Sequence, residues 1–87
     1  MWITENSTKA EAIQAVRVDG LALQYASAAL KDDREVVMAA VQKNGGALVF
    51  ASIELRGDHG VVMTAVKSHG WALQYASPAL KMTMTLY

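Results

Sequence analysis

The chain repeats itself every 25 residues without a gap. The phrase GLALQYASAALK, Gly20 to Lys31, returns as GWALQYASPALK, Gly70 to Lys81, with 10 of 12 positions identical. GGALVFASIELR, Gly45 to Arg56, stands between them in the same register. The columns are Gly20/Gly45/Gly70, Leu23/Leu48/Leu73, Tyr25/Phe50/Tyr75, Ser27/Ser52/Ser77, Leu30/Leu55/Leu80 and Lys31/Arg56/Lys81. Upstream, Ala15-Val16, Ala40-Val41 and Ala65-Val66 align as well. A unit this short cannot bury an apolar face alone, so a repeated phrase implies a repeated joint between stacked neighbours.

Each unit reads as two helices. The first begins at Thr8, Asp33 or Asp58, side chains whose oxygen accepts an unpaired backbone N–H, and Thr8-Lys9-Ala10-Glu11 has capping-box spacing. Apolar residues follow at helical spacing: Val37, Ala40 and Val41, then Val62, Ala65 and Val66. Asp19-Gly20, Asn44-Gly45 and His69-Gly70 read as left-handed C-terminal caps. The second helix is short and stops before Ser27, Ser52 or Ser77. Pro78 fixes this, because Ser followed by Pro suits a helix start and not a helix interior. Ser-x-x-Leu is then a single turn leading to the next unit.

The fold expected is all-α: three tandem 25-residue two-helix repeats, stacked as a short α-solenoid or a compact helical bundle. The chain is one helical-repeat domain, residues 1–87, with units at about 8–32, 33–57 and 58–82, and 83–87 falling where a fourth first helix would start. The aromatic and Leu columns are expected in the core.

The pattern Asp-x-Glu-Val-Val-x-x-Ala-Val-x-x-Asn-Gly-x-Ala-Leu-x-Tyr-Ala-Ser-x-x-Leu-Lys is best seen from Asp33 to Asn44-Gly45 and from Gly70 to Lys81. It resembles the repeat of the family named domain of unknown function 4116. The resemblance covers about residues 8–81. It implies a tandem helical array and brings no catalytic residues. The first unit departs from the pattern before Ala12, and the tail departs after Lys81.

Eight Lys plus Arg balance eight Asp plus Glu, so no global field draws the chain to nucleic acid. There is no Cys, hence no disulfide and no thiolate site. The longest nearly apolar run, Gly45 to Ile53, falls far short of the roughly 20 residues of a membrane span. The polar opening residues do not read as a signal peptide, which leaves the cytoplasm as the default compartment.

His59 and His69 lie at opposite ends of one helix, too far apart to share a metal. His69 reads as a cap, and His59 as a solvated position in the column of Arg34. Asp32, Asp33 and Glu35 cluster at a helix N-terminus, where carboxylates are favoured without any cation. The repeated serines have no aligned base. Lys31, Arg56 and Lys81 form a basic edge, neutralised in part by Asp32, Asp33 and Asp58. No catalytic, cofactor-binding or metal-ligating residue is assigned, and no small-molecule substrate.

The role expected is that of a structural or protein-binding module, a small component of a larger assembly, with self-association or a protein partner. RNA binding through the aromatic column is the alternative, and a site between repeats the remoter one. Candidate partner-binding residues are Trp71, whose column holds Leu21 and Gly46, and the terminal apolar residues Trp2, Met82, Met84, Leu86 and Tyr87.

Overall fold

The structure is a computed structural model and describes residues 8–78 and 80. It is all-α, with no strand among the described residues. The elements are α1 (Lys9–Val18), η1 (Gly20–Tyr25), α2 (Ala28–Lys31), α3 (Arg34–Lys43), η2 (Gly45–Phe50), α4 (Ile53–Arg56), α5 (His59–Ser68) and η3 (Gly70–Tyr75), where η marks a 3-10 helix. Long helices α1, α3 and α5 start 25 residues apart.

Each long helix begins where a side chain can take up orphan N–H groups. Thr8 closes a complete capping box with Glu11. Asp33 accepts from Glu35 and Val36 N–H, and Asp58 from Val61 N–H. Ser27 and Ser52 accept from Leu30 and Leu55 N–H at 3.2 Å, which starts α2 and α4.

The junction after each long helix differs from the left-handed cap expected. No described residue, glycine included, has a positive φ. Asp19, Asn44 and His69 are extended. The Asp19 and Asn44 side chains instead fold forward onto the N–H two residues on, Leu21 and Gly46. That local turn starts a helix of i→i+3 bonds, and a period of three then puts Gly20, Leu23 and Ala26 on one inward edge.

The 3-10 helices form a second layer. α3 packs against both α1 and α5, and η2 against both η1 and η3, in a body 40 × 20 × 15 Å. The core lies between the layers: Ala12, Ala15, Val16, Leu23, Val36, Val37, Ala40, Val41, Leu48, Val61, Val62 and Ala65 are fully enclosed. Small residues dominate it, so backbones approach closely. A Cβ on Gly20 would collide with the Ala40 carbonyl oxygen, and one on Gly45 with that of Ala65. The glycine column exists for this contact between units, not for a turn.

The joint between units is also polar. Ser52 N–H donates to the Lys31 carbonyl and Ser77 N–H to the Arg56 carbonyl, both at 2.9 Å. Ser52 Oγ donates to Asp32 at 2.6 Å, and Arg56 Nε to the Tyr75 carbonyl at 2.7 Å. Arg34 Nε reaches Asp58 at 3.0 Å, and Lys9 Nζ reaches Asp33 and Glu35 at 3.2 and 2.9 Å. Asp33, Glu35 and Asp58 are therefore paired with Lys9 and Arg34, and Asp32 with Ser52; among the described residues no ion pair involves Lys31 or Arg56, and Lys81 lies outside them. Arg34 is engaged where the sequence suggested free solvation.

Candidate interaction surface

The two layers present different chemistry to solvent. Residues 20–30, 45–53 and 70–80, which hold the η layer, carry no charged side chain at all. Among the described residues, every Lys, Arg, Asp and Glu lies on the long helices, on the short helices α2 (Lys31) and α4 (Glu54, Arg56) or in the turns beside them. Yet the η layer and α4 expose large apolar groups: Leu21, Tyr25, Val49, Ile53 and Trp71. Repeat register groups three of them: Leu21 and Trp71 share one column with Gly46, and Tyr25 shares another with Phe50 and Tyr75.

The aromatic column therefore does not sit in the core as expected. Tyr25 is 48 % exposed, and Phe50 and Tyr75 are only half-buried against the core. In a six-residue 3-10 helix the inward edge is taken by Gly, Ala and Leu, which leaves the ring at the rim. The Leu column is buried in the first two units, at Leu23 and Leu48, while Leu73 is half-buried.

Trp71 is 52 % exposed and also reaches back over the unit before it. A Cβ on Gly46 would lie 2.7 Å from Trp71 Cη2, so the indole fits only because that column position is glycine in the middle unit. The ring is tilted against His69 at 5.1 Å between centroids and meets Tyr75 edge-on at 6.1 Å. Such pairs fix the ring's orientation. Trp71 is thus part cover for Gly46 and part free surface.

His69 has a task its sequence position does not announce. It is the C-cap of α5, its N–H donating to the Ala65 carbonyl as the sequence suggested, but its side chain does not cap η3. Its Nδ1 accepts the Gly45 N–H at 3.1 Å, with Ser68 Oγ at the same distance. The signal available in the sequence is a spacing of 24: Gly45–His69, Lys9–Asp33 and Arg34–Asp58 all join a position to the one before its equivalent in the next unit.

Among the described residues no group of three or more His, Cys, Asp or Glu is placed to hold a metal ion. A groove beside α3 is lined by Arg17, Arg34, Glu35, Met38, Ala39 and Gln42, but Arg34 and Glu35 are already paired with Asp58 and Lys9. Among the described residues, no helix is long and apolar enough to cross a membrane. Trp2, Met82, Met84, Leu86 and Tyr87, and the start of a fourth helix at 83–87, lie outside the described residues.

A charged layer and an uncharged layer, built from one short motif and joined by the same contacts at each step, define a tandem helical-repeat protein. The family model "Domain of unknown function (DUF4116)" matches residues 12–56 and again 33–81, and the chain belongs to that family. The ends of the two matches, 56 and 81, lie one repeat apart. Comparisons with curated proteins and with solved structures give no match.

Proposed function

We propose that the chain is a non-catalytic helical-repeat module that binds protein through the η layer, as a small component of a larger assembly. The observation that supports this is the segregation of charge: the three η helices carry no charged residue and expose Leu21, Tyr25, Val49 and Trp71. Large apolar groups exposed on one layer gain by leaving water, at ~25 cal/mol per Å² of apolar area buried. An exposed Trp beside an aromatic column is the residue type that anchors protein interfaces. The absence of charge speaks against a nucleic-acid partner, whose phosphates demand Lys and Arg. The terminal residues Trp2, Met82, Met84, Leu86 and Tyr87 join this proposal on composition alone.

The test is quantitative capture by the immobilised wild-type chain and by a Leu21→Ser/Val49→Ser/Trp71→Ser variant. Leu21, Val49 and Trp71 all lie outside the buried core, so the variant should keep its helical circular dichroism, and Leu21→Ser/Val49→Ser, which keeps the Trp71 cover over Gly46, serves if it does not. The expected result is one protein retained in fixed stoichiometry by the wild type, insensitive to salt, and lost by the variant. Retention of RNA, falling steeply as salt rises from ~50 to ~200 mM, would replace the reading with RNA binding. Equal retention by both chains would remove the η layer from it.

A further inference from the structure

The joint between the second and third units differs from the joint before it by one titratable hydrogen bond. In the column Asp19/Asn44/His69 the first two side chains bond the N–H two residues on, within their own unit. The His69 side chain makes no such bond. Its ring turns back instead, and Nδ1 accepts the Gly45 N–H of the preceding unit at 3.1 Å. Gly45 is buried, so close beneath the Ala65 carbonyl and the His69 Cβ that a Cβ of its own would not fit. Among the described residues that N–H has no second acceptor.

The bond needs a lone pair on Nδ1, so it exists only while the ring is neutral. Ser68 Oγ stands 3.1 Å from the same nitrogen. A proton on Nδ1 turns that atom from acceptor to donor. The ring then gives its bond to Ser68 Oγ, and the Gly45 N–H is left buried, unpaired and facing another N–H. The ring also touches what covers the joint: it lies 5.1 Å from the Trp71 ring, and Trp71 reaches over Gly46.

We infer that His69 is an acid-sensitive latch between the second and third units: a proton on its ring breaks the bond to Gly45 and loosens η3, with Trp71, from η2. The surrounding charges offer the imidazolium nothing in return. Lys43 and Lys67 stand in the last turns of α3 and α5, beside the joint. Arg34, Glu35, Glu54 and Asp58 lie at or before the starts of those helices, and Arg56 is taken by the Tyr75 carbonyl. η2 carries no charge, and the Tyr75 phenol of η3 is neutral in this range. The unfolded chain takes up the same proton without losing a bond. Stability therefore falls as pH drops through ~8 to ~5, where histidine changes charge. Asn44 does not titrate, so the latch belongs to one joint. It stands apart from the protein-binding reading, and its test needs no partner.

Nuclear magnetic resonance of the full chain, titrated from pH ~8 to ~5, follows the His69 ring and the Gly45 amide separately. The Gly45 amide proton should shift with the midpoint of the His69 ring, and its protection against hydrogen exchange should fall about 10-fold or more, as for a buried donor left unpaired. In a Trp2→Phe chain, where Trp71 is the one indole, the emission should change over the same range. The melting temperature should fall across it as well. His69→Asn, which places the residue of Asn44 there, should abolish the emission change and this fall, and His59→Gln should keep both. If His69→Asn does not fold, the coincidence of the ring and amide titrations in the wild type decides alone. A Gly45 amide that stays put while the His69 ring titrates, a ring that stays neutral down to pH ~5, or an unaltered pH response in a folded His69→Asn chain would each overturn the inference. None of these bears on capture through Leu21, Val49 and Trp71, so the two readings fail separately.

Discussion

At the scale of the residue, the molecule depends on having very little in the right places. Leu23 and Leu48 are the largest fully enclosed side chains, set among Ala and Val. Leu48→Ala should lower stability by ~2–5 kcal/mol, through lost transfer energy and the cavity left behind; a thermal melt matching the parent would remove Leu48 from the core. Gly45→Ala tests the opposite limit. Its added methyl meets the Ala65 carbonyl, a backbone atom that cannot turn aside, so the cost should be ~1–3 kcal/mol as for other overpacked sites. Gly70→Ala, in the same column, should leave the melt unchanged. The burial of the Leu column was readable from its spacing. That of the aromatic column was not, because Tyr and Phe suit a rim as well as an interior, and only the helix type decided between them.

At the scale of the element, caps join helix starts to the stack. The Asp33 and Asp58 carboxyls both lie below the usual carboxylate range. Burial pushes Asp33 up, but the Lys9 ammonium and the Val36 and Glu35 N–H groups outweigh it. Arg34 and the Val61 N–H hold Asp58 down against a smaller opposing effect of burial. A carboxyl whose pKa is lower folded than unfolded stabilises the fold fully above its unfolded value of ~3.9, and that contribution is lost as pH falls through the folded value. The melting temperature should therefore fall as pH is lowered from ~5 to ~2. Asp58→Asn should flatten this acid limb and leave the neutral range shallow, since exposed pairs are worth only ~0–1 kcal/mol. An unaltered acid limb would show that other carboxyls govern it. The N-caps at Thr8, Asp33 and Asp58 were legible from residue type and position. The 3-10 helices were not, since six residues of Gly, Ala, Leu and an aromatic fit an α-turn equally well until the Asp19 and Asn44 side chains fold forward.

At the scale of the whole molecule, stability belongs to the junctions. η2 is covered on both sides, by η1 and η3, and α3 by α1 and α5. A helix of 10 residues is marginal in isolation. A chain shortened to residues 1–57 would open Gly45, Val41 and Leu48 to water at once. It should lose its cooperative thermal transition by circular dichroism, as stacked repeats do when too few remain. A sharp melt from residues 1–57 would mean that two units suffice and that the third adds surface and not stability.

The 25-residue period, the helix starts and the all-α class follow from the sequence alone, because propensity, capping and apolar spacing are local and are written three times over. The backbone's route past each glycine, the offset of 24 that pairs Lys9 with Asp33 and Gly45 with His69, and the rim position of the Tyr column were decided by packing. So was the contrast between a buried Gly20 and an exposed Gly70 in one column. Identical residues differ there because burial is a property of what lies across a joint, and a repeat spells the joint without saying which of its faces has a neighbour.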